Sequence, residues 1–172
     1  MSDFDSRPLR YAIYKGMKGK NGVLQFDMKP FEPANIEQEM SAGAKRKAAK
    51  GAVFIDAAKA VGENVYDYKN DIKFAMSETD LGQFLIGTKM LLGEGTELVS
   101  LYHKIERNNI KLSKSLKVKQ GREDQKGLPT FMITLTEKGG DEEKFVTVPV
   151  SASEMLILRE LFTKAVTRIL GW

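Results

Sequence analysis

The sequence predicts an α+β fold of the order ββββα-ββββα, as one domain over residues 10–172 behind a flexible stretch at 1–9. Three observations point there. Short segments of alternating apolar and polar residues come in two runs, divided by Gly- or Asn-containing breaks. Each run is followed by a segment opening with Ser and an acidic residue three positions on, the signature of a helix start. A chain of 172 residues suffices for one well-buried core and is short for two.

Arg10 to Lys15 and Gly22 to Lys29 read as two strands around a Gly-Lys-Asn turn region. In the second, Leu24, Phe26 and Met28 alternate with Val23, Gln25, Asp27 and Lys29, which makes one face apolar. Residues 30–51 carry prolines, then Ala, Glu and Lys without a clean period, and read as a long loop or a short helix. Ala52 to Ala60 and Asn64 to Met76 read as strands, the latter turning back at Lys69-Asn70-Asp71. The first helix is capped by Ser77 and Asp80, carries Leu81, Phe84, Leu85 and Leu91 or Leu92, and closes at Gly93.

Strands resume in "TELVSLYHKI", "IKLSKSLKVKQ", "PTFMITLTEK" and "EKFVTVPV". The last segment is a helix with an S-x-x-E box at Ser151 and Glu154. Its apolar residues, from Met155 through Leu158, Phe162 and Val166 to Leu170, cover more than the single stripe of a surface helix. Such a helix is either a deep core element or one shared with another subunit, and the pattern accommodates both.

Composition excludes several classes. Without cysteine there are no disulfides, thiol nucleophiles or thiolate metal sites. A single histidine, His103, in a strand-like stretch reads as structural, and no histidine pair exists to hold a transition metal. No apolar run approaches the roughly 20 residues that span a bilayer. The opening "MSDFDSRP" lacks the apolar core of a secretory signal, so a cytoplasmic setting is expected. Carboxylates are scattered, no catalytic pair stands out, and no enzyme activity or cofactor is expected. The net charge of +4 favours a polyanionic partner if the lysines cluster.

Several familiar motifs fail on inspection. "GMKGKN" lacks the first glycine and the Ser or Thr of a phosphate loop, and no helix follows it. Its GxxG joins strands, whereas that of KH domains joins helices. "KGAVFIDA" echoes an RNA-recognition strand, but Ala52 and Ala57 replace the stacking aromatics. The stretch "IKLSKSLKVKQ" does better. Leu112, Leu116 and Val118 share one strand face, while Lys111, Ser113, Ser115, Lys117 and Lys119 share the other. That face offers donors and no acceptor charge, as a phosphate-tracking surface requires, although edge lysines that deter strand aggregation have the same pattern. Lys15, Lys18, Lys20 and Lys29 form a second basic cluster, and Lys45, Arg46, Lys47 and Lys50 a third. Tyr11, Tyr14, Phe26, Phe31, Phe54, Tyr66 and Tyr68 lie among these strands. Base stacking plus lysine is how single strands are held without reading sequence.

Four ordered segments resemble the Whirly family of single-stranded-DNA-binding proteins: "YAIYKG" with "VL", "AVGENVYDY" with "FAMSETDLGQFLIG", "SKSLKVK", and "FVTVPVSASEMLILREL" with the terminal "ILGW". The resemblance covers residues 10–172. It implies two antiparallel four-stranded sheets with two helices, a homotetramer built through the helices, and single-stranded DNA lying along the sheet edges. Lys15, Gly16 and Leu24 match the family's hairpin motif, with Lys18 or Lys20 as its second lysine. The longer hairpin turn and the basic insertion near Ala42 to Lys50 depart from it, and a bacterial or phage setting is expected.

The expected protein is a non-catalytic, sequence-tolerant single-stranded-DNA binder of replication, recombination or repair. An RNA-binding or annealing relative, or an oligomeric scaffold for an acidic protein, is the alternative. The expected DNA contacts are Lys15, Lys18, Lys20, Lys29, Lys111, Lys117, Lys119, Tyr14, Phe26, Phe31, Phe54, Tyr66 and Tyr68. Leu158, Phe162 and Val166 are the expected oligomer contacts, and Trp172 is expected to be packed.

Overall fold

A computed structural model describes residues 10–16, 21–30, 51–107 and 110–170. Within them the first sheet comprises β1 (Arg10–Tyr14), β2 (Gly22–Lys29), β3 (Ala52–Gly62), β4 (Val65–Tyr66) and β5 (Ile72–Met76). The second comprises β6 (Glu97–Arg107), β7 (Ile110–Glu123), β8 (Pro129–Gly139) and β9 (Glu142–Val150). Helix α1 (Glu78–Gly87) follows the first sheet and α2 (Ala152–Leu170) the second. All strand pairs are antiparallel, in the orders β1-β2-β3 and β6-β7-β8-β9. Both β4 and β5 pair with β3, so they share the fourth strand position of the first sheet. The chain does not reverse at Lys69–Asp71 as the sequence led us to expect. Residues Tyr68–Asn70 make one short 3-10 turn, after which the strand resumes in the same direction.

Strand alternation builds the core. Tyr11, Phe26, Ile55 and Phe74 make one cross-strand row of the first sheet, and Ile13, Leu24, Ala57 and Ile72 the next. Leu101, Leu116, Leu135 and Val146 make the matching row of the second. Nearly all of these side chains are buried, each Leu, Ile or Phe stabilising the fold by about 1.5–3 kcal/mol relative to exposure. The sheets come together at Gly22. A Cβ there would lie 2.4 Å from the Ala58 carbonyl oxygen and 2.8 Å from Val146 Cγ1, so only glycine permits the contact.

Both helix starts form as read. Ser77 Oγ accepts from the Asp80 N–H at 3.3 Å while Asp80 Oδ2 accepts from the Ser77 N–H at 2.8 Å. Ser151 and Glu154 repeat the arrangement at 3.3 and 2.8 Å. Each cap stabilises its helix by about 1 kcal/mol. The end of α1 differs: it stops at Gly87, not Gly93. Thr88 Oγ1 donates to the Phe84 carbonyl at 2.7 Å, and a Cβ at Gly87 would stand 2.3 Å from the Leu98 carbonyl oxygen. Close docking on β6 ends the helix, and Met90, Leu91 and Leu92 leave it as an exposed segment.

Helix α2 closes the core with Met155, Leu158, Phe162, Ala165 and Ile169, a stripe of i, i+3, i+7 spacing. Phe162 meets Phe84 at 4.9 Å and Phe26 at 5.7 Å, both edge-on. Leu158 is 0% and Phe162 2% exposed, so both belong to the core of this chain and not to an oligomer surface. Val166 packs half-buried against the same core. The exposed apolar residues of α2 are its neighbours Leu156, at 59%, and Ile157. His103 has the structural role expected: its ring stacks on Phe74 at 4.5 Å, and Nε2 lies 3.2 Å from Asp80 Oδ2.

Candidate nucleic-acid interface

Two rows of paired residues organise the outer face of the second sheet. Tyr102, Ser115, Thr136 and Phe145 lie opposite one another across all four strands. At about 4.8 Å per strand, the two rings stand about 14 Å apart at opposite sheet edges. They are 58% and 53% exposed, with only hydroxyls between them. In the next row Ser100, Lys117, Thr134 and Thr147 repeat the polar pattern, and the Thr134 and Thr147 hydroxyls share a hydrogen bond of 2.9 Å. The central strands place Lys111, Ser113, Ser115, Lys117 and Lys119 beside Met132, Thr134, Thr136 and Lys138, with no carboxylate among them. Glu97, Glu106 and Glu143 are confined to the edge strands. Lys117 pairs with Glu97 at 3.0 Å, and that hydrogen bond holds the Glu97 carboxyl below its ordinary value. Lys114 points to the opposite face, where it pairs with Glu137 at 2.8 Å.

The outer face of the first sheet is aromatic and of mixed charge. Gln25 Nε2 donates to the Tyr68 hydroxyl at 3.1 Å and the Tyr14 hydroxyl at 3.4 Å. The Tyr66 ring lies 5.7 Å from Tyr14 and 6.3 Å from Tyr68. Burial, and then proximity to Tyr14 and Tyr66, pushes the Tyr68 hydroxyl above its ordinary pKa. Beside this cluster an open cavity of about 390 Å³ is lined by Arg10, Tyr14, Gln25, Asp27 and Asp56. Arg10 pairs with Asp27 at 3.2 Å, and Lys73 with Asp71 at 2.9 Å. Those pairs leave this face less cationic than the second sheet. Lys29 sits 5.2 Å over the Phe54 ring at its far end.

Five of the expected contacts therefore need correction or placing. Phe26 is 5% exposed and packs on Phe162, because it lies on the apolar side of β2 and offers no ring to a base. Lys15 is held by Glu154 at 2.9 Å, half-buried, and is already neutralised. Lys18, Lys20, Phe31, the basic insertion and Trp172 lie outside the described residues. The structure gathers Tyr14, Tyr66 and Tyr68 on the first sheet and Lys111, Lys117 and Lys119 on the second, with Phe54 and Lys29 apart.

A third feature lies between the sheets. Lys59 of β3 and Phe145 of β9 meet across a cleft of about 270 Å³, the ammonium 4.8 Å from the ring centroid. Lys144, Asp67 and Asn70 line the same cleft. Sequence reasoning missed Tyr102, Lys59, Lys144 and Phe145. The strand "EKFVTVPV" did contain a signal: Val146, Val148 and Val150 take the core side, which leaves Phe145 as an aromatic on the polar side. Among the described residues there is no cluster of side chains suited to a metal ion, and no helix long and apolar enough to cross a membrane.

Comparison with known proteins gives a consistent family. The model of a family described as "Whirly transcription factor" matches residues 14–161. The mitochondrial single-stranded DNA-binding protein WHY2 of Arabidopsis thaliana is 27% identical over 165 residues, covering 94% of this chain and 64% of that protein. The chloroplastic single-stranded DNA-binding protein WHY1 of Zea mays is 26% identical over 167 residues, covering 94% and 56%. This chain thus spans about three fifths of the length of these relatives. The crystal structure of WHY3 from Arabidopsis thaliana superposes with a TM-score of 0.70 at 20% identity, over 95% of this chain and 89% of that one. The structure of the plant transcriptional regulator PBF-2 superposes with a TM-score of 0.70 at 22% identity, over 95% and 91%.

Proposed function

The chain belongs to the Whirly family, and from that membership we propose that it binds single-stranded DNA, without catalysis and with little regard to sequence. The observation that carries this is the row Tyr102–Ser115–Thr136–Phe145, with lysines and no central carboxylate beside it. Exposed rings accept any base by stacking, and lysines neutralise phosphates irrespective of the bases attached. Among the described residues no helix projects from the sheets in the way that enters a duplex major groove. Two matched relatives carry single-stranded DNA binding in their names.

We place the activity in replication, recombination or repair, where exposed single strands arise, and in the cytoplasm of a bacterial or phage-infected cell. The relatives matched are mitochondrial and chloroplastic plant proteins, so the setting rests on the basic insertion and the longer hairpin turn alone. A homotetramer is part of the proposal. Exposed Leu156 and Ile157 on α2, with Ile86 on α1, supply apolar surface for contact between copies.

A gel-shift panel tests the central claim. Single-stranded DNA, duplex DNA and RNA of one length are compared at two salt concentrations. Preferential, salt-sensitive retention of single-stranded DNA is the expected result. Equal or tighter binding of the duplex refutes it, and tighter binding of RNA selects the RNA-binding alternative.

A further inference from the structure

We infer that the cleft between the two sheets holds one nucleotide of the bound strand and favours a base with an exocyclic amino group, cytosine above thymine, by stacking on Phe145 and a hydrogen bond to Asp67. The inference rests on the single-strand-binding function proposed above and adds one position at which the sequence is read.

The cleft measures about 270 Å³, just below the small end of ligand pockets, and so suits a single nucleotide. Among the described residues its one aromatic wall is Phe145, which is exposed although the next residue, Val146, is buried. In the free protein Lys59 Nζ lies 4.8 Å over that ring, on a face that a base would cover. An exposed cation–π contact is weaker than base stacking, so a base displaces the ammonium. The released Lys59 then has the phosphate of the same nucleotide as its partner, with Lys144 beside it. One lysine thus holds the ring clear of other contacts in the free state and serves the backbone in the bound state.

Asp67 is the unexpected wall, since a carboxylate beside two lysines does nothing for a phosphate. It is firmly oriented. Its backbone N–H donates to the Lys59 carbonyl at 2.9 Å. Its Oδ2 accepts from Asn70 Nδ2 at 2.8 Å, and that bond, against the opposing effect of desolvation, keeps the carboxyl below its ordinary pKa. A carboxylate has roughly four acceptor positions, and Asn70 Nδ2 fills one of those of Asp67. The remaining positions accept and cannot donate. Cytosine offers its N4 amino group to such an acceptor, whereas thymine presents the O4 carbonyl at the equivalent place and is repelled.

Fluorescence anisotropy with end-labelled dC12 and dT12 tests this, using the whole chain at pH 8, where cytosine is unprotonated. Wild type should bind dC12 about fivefold to tenfold more tightly than dT12. Asp67→Asn, whose amide both donates and accepts, should bring the ratio near one. Phe145→Ala should weaken both ligands about tenfold, and Phe145→Tyr should restore them. Equal affinities for dC12 and dT12 in the wild type overturn the inference alone. So does a preference that survives Asp67→Asn, or a Phe145→Ala variant that binds as the wild type does. Wild-type protein that binds neither oligonucleotide overturns the proposed function instead.

Discussion

Lys15 Nζ lies 2.9 Å from Glu154 Oε1, tying the end of the β1 strand to the first turn of α2. The same carboxylate accepts from the Ser151 N–H at 2.8 Å and the Ser151 hydroxyl at 2.9 Å. One side chain therefore caps a helix and clamps a hairpin 139 residues away in sequence. Lys15, read from sequence as a phosphate contact, is a structural cation in the free protein.

Burial raises the Glu154 carboxyl, but hydrogen bonds from Ser151 and Lys15 outweigh it and the pKa falls below its ordinary value. A lowered carboxyl contributes stability above its unfolded pKa of about 4.3, and the contribution is lost as pH falls through the folded pKa. Wild type should thus melt higher than Glu154→Gln at pH 7, and the two curves should converge below about pH 4. A constant difference from pH 3 to pH 7 contradicts the clamp. Lys15→Ala should cost about 1 kcal/mol in chemical denaturation.

Lys111 and Lys119 are exposed on the polar face of β7. Each phosphate contact adds roughly 0.7 to the slope of log affinity against log salt for a single strand. Replacing both with Ala should flatten that slope by about 1.4 and leave the melting temperature nearly unchanged. An unchanged slope would show that the strand passes elsewhere.

Phe26 and Tyr68 occupy opposite sides of the first sheet and should part in their effects. Phe26→Ala opens a cavity beside Phe162 and should destabilise the fold by about 3–5 kcal/mol. Tyr68→Ala removes a half-exposed ring, and should weaken single-strand binding by about 1–3 kcal/mol with little loss of stability. Paired measurements of denaturation and oligonucleotide affinity check both.

On α2, adjacent residues should separate assembly from folding. Leu156 and Ile157 are exposed, whereas Leu158 is buried. The double variant Leu156→Glu, Ile157→Glu should stay folded and lose the tetramer, as read by light scattering. Leu158→Glu should fail to fold, because it buries an unpaired charge. Wild type with a monomeric mass at micromolar concentration contradicts the tetramer.

Much of this protein follows from near neighbours in sequence. Alternation assigned the core side of β2 and β7, because a strand side chain has only two directions to take. The Ser-x-x-Asp and Ser-x-x-Glu boxes marked both helix starts, since each cap closes within four residues. The ββββα order, and with it the α+β class, needed nothing further. Partners distant along the chain were another matter. Whether Lys15 meets a phosphate or Glu154, and whether Phe162 meets a second subunit or Phe26 and Phe84, depends on contacts across more than 70 residues. A lysine or a phenylalanine satisfies either environment equally well in local sequence. The strand continuing past Lys69–Asp71, the stop at Gly87 and the cleft joining Lys59 to Phe145 have the same origin. Periodicity sets which way a side chain points, while the packing of one sheet against the other decides what it finds there.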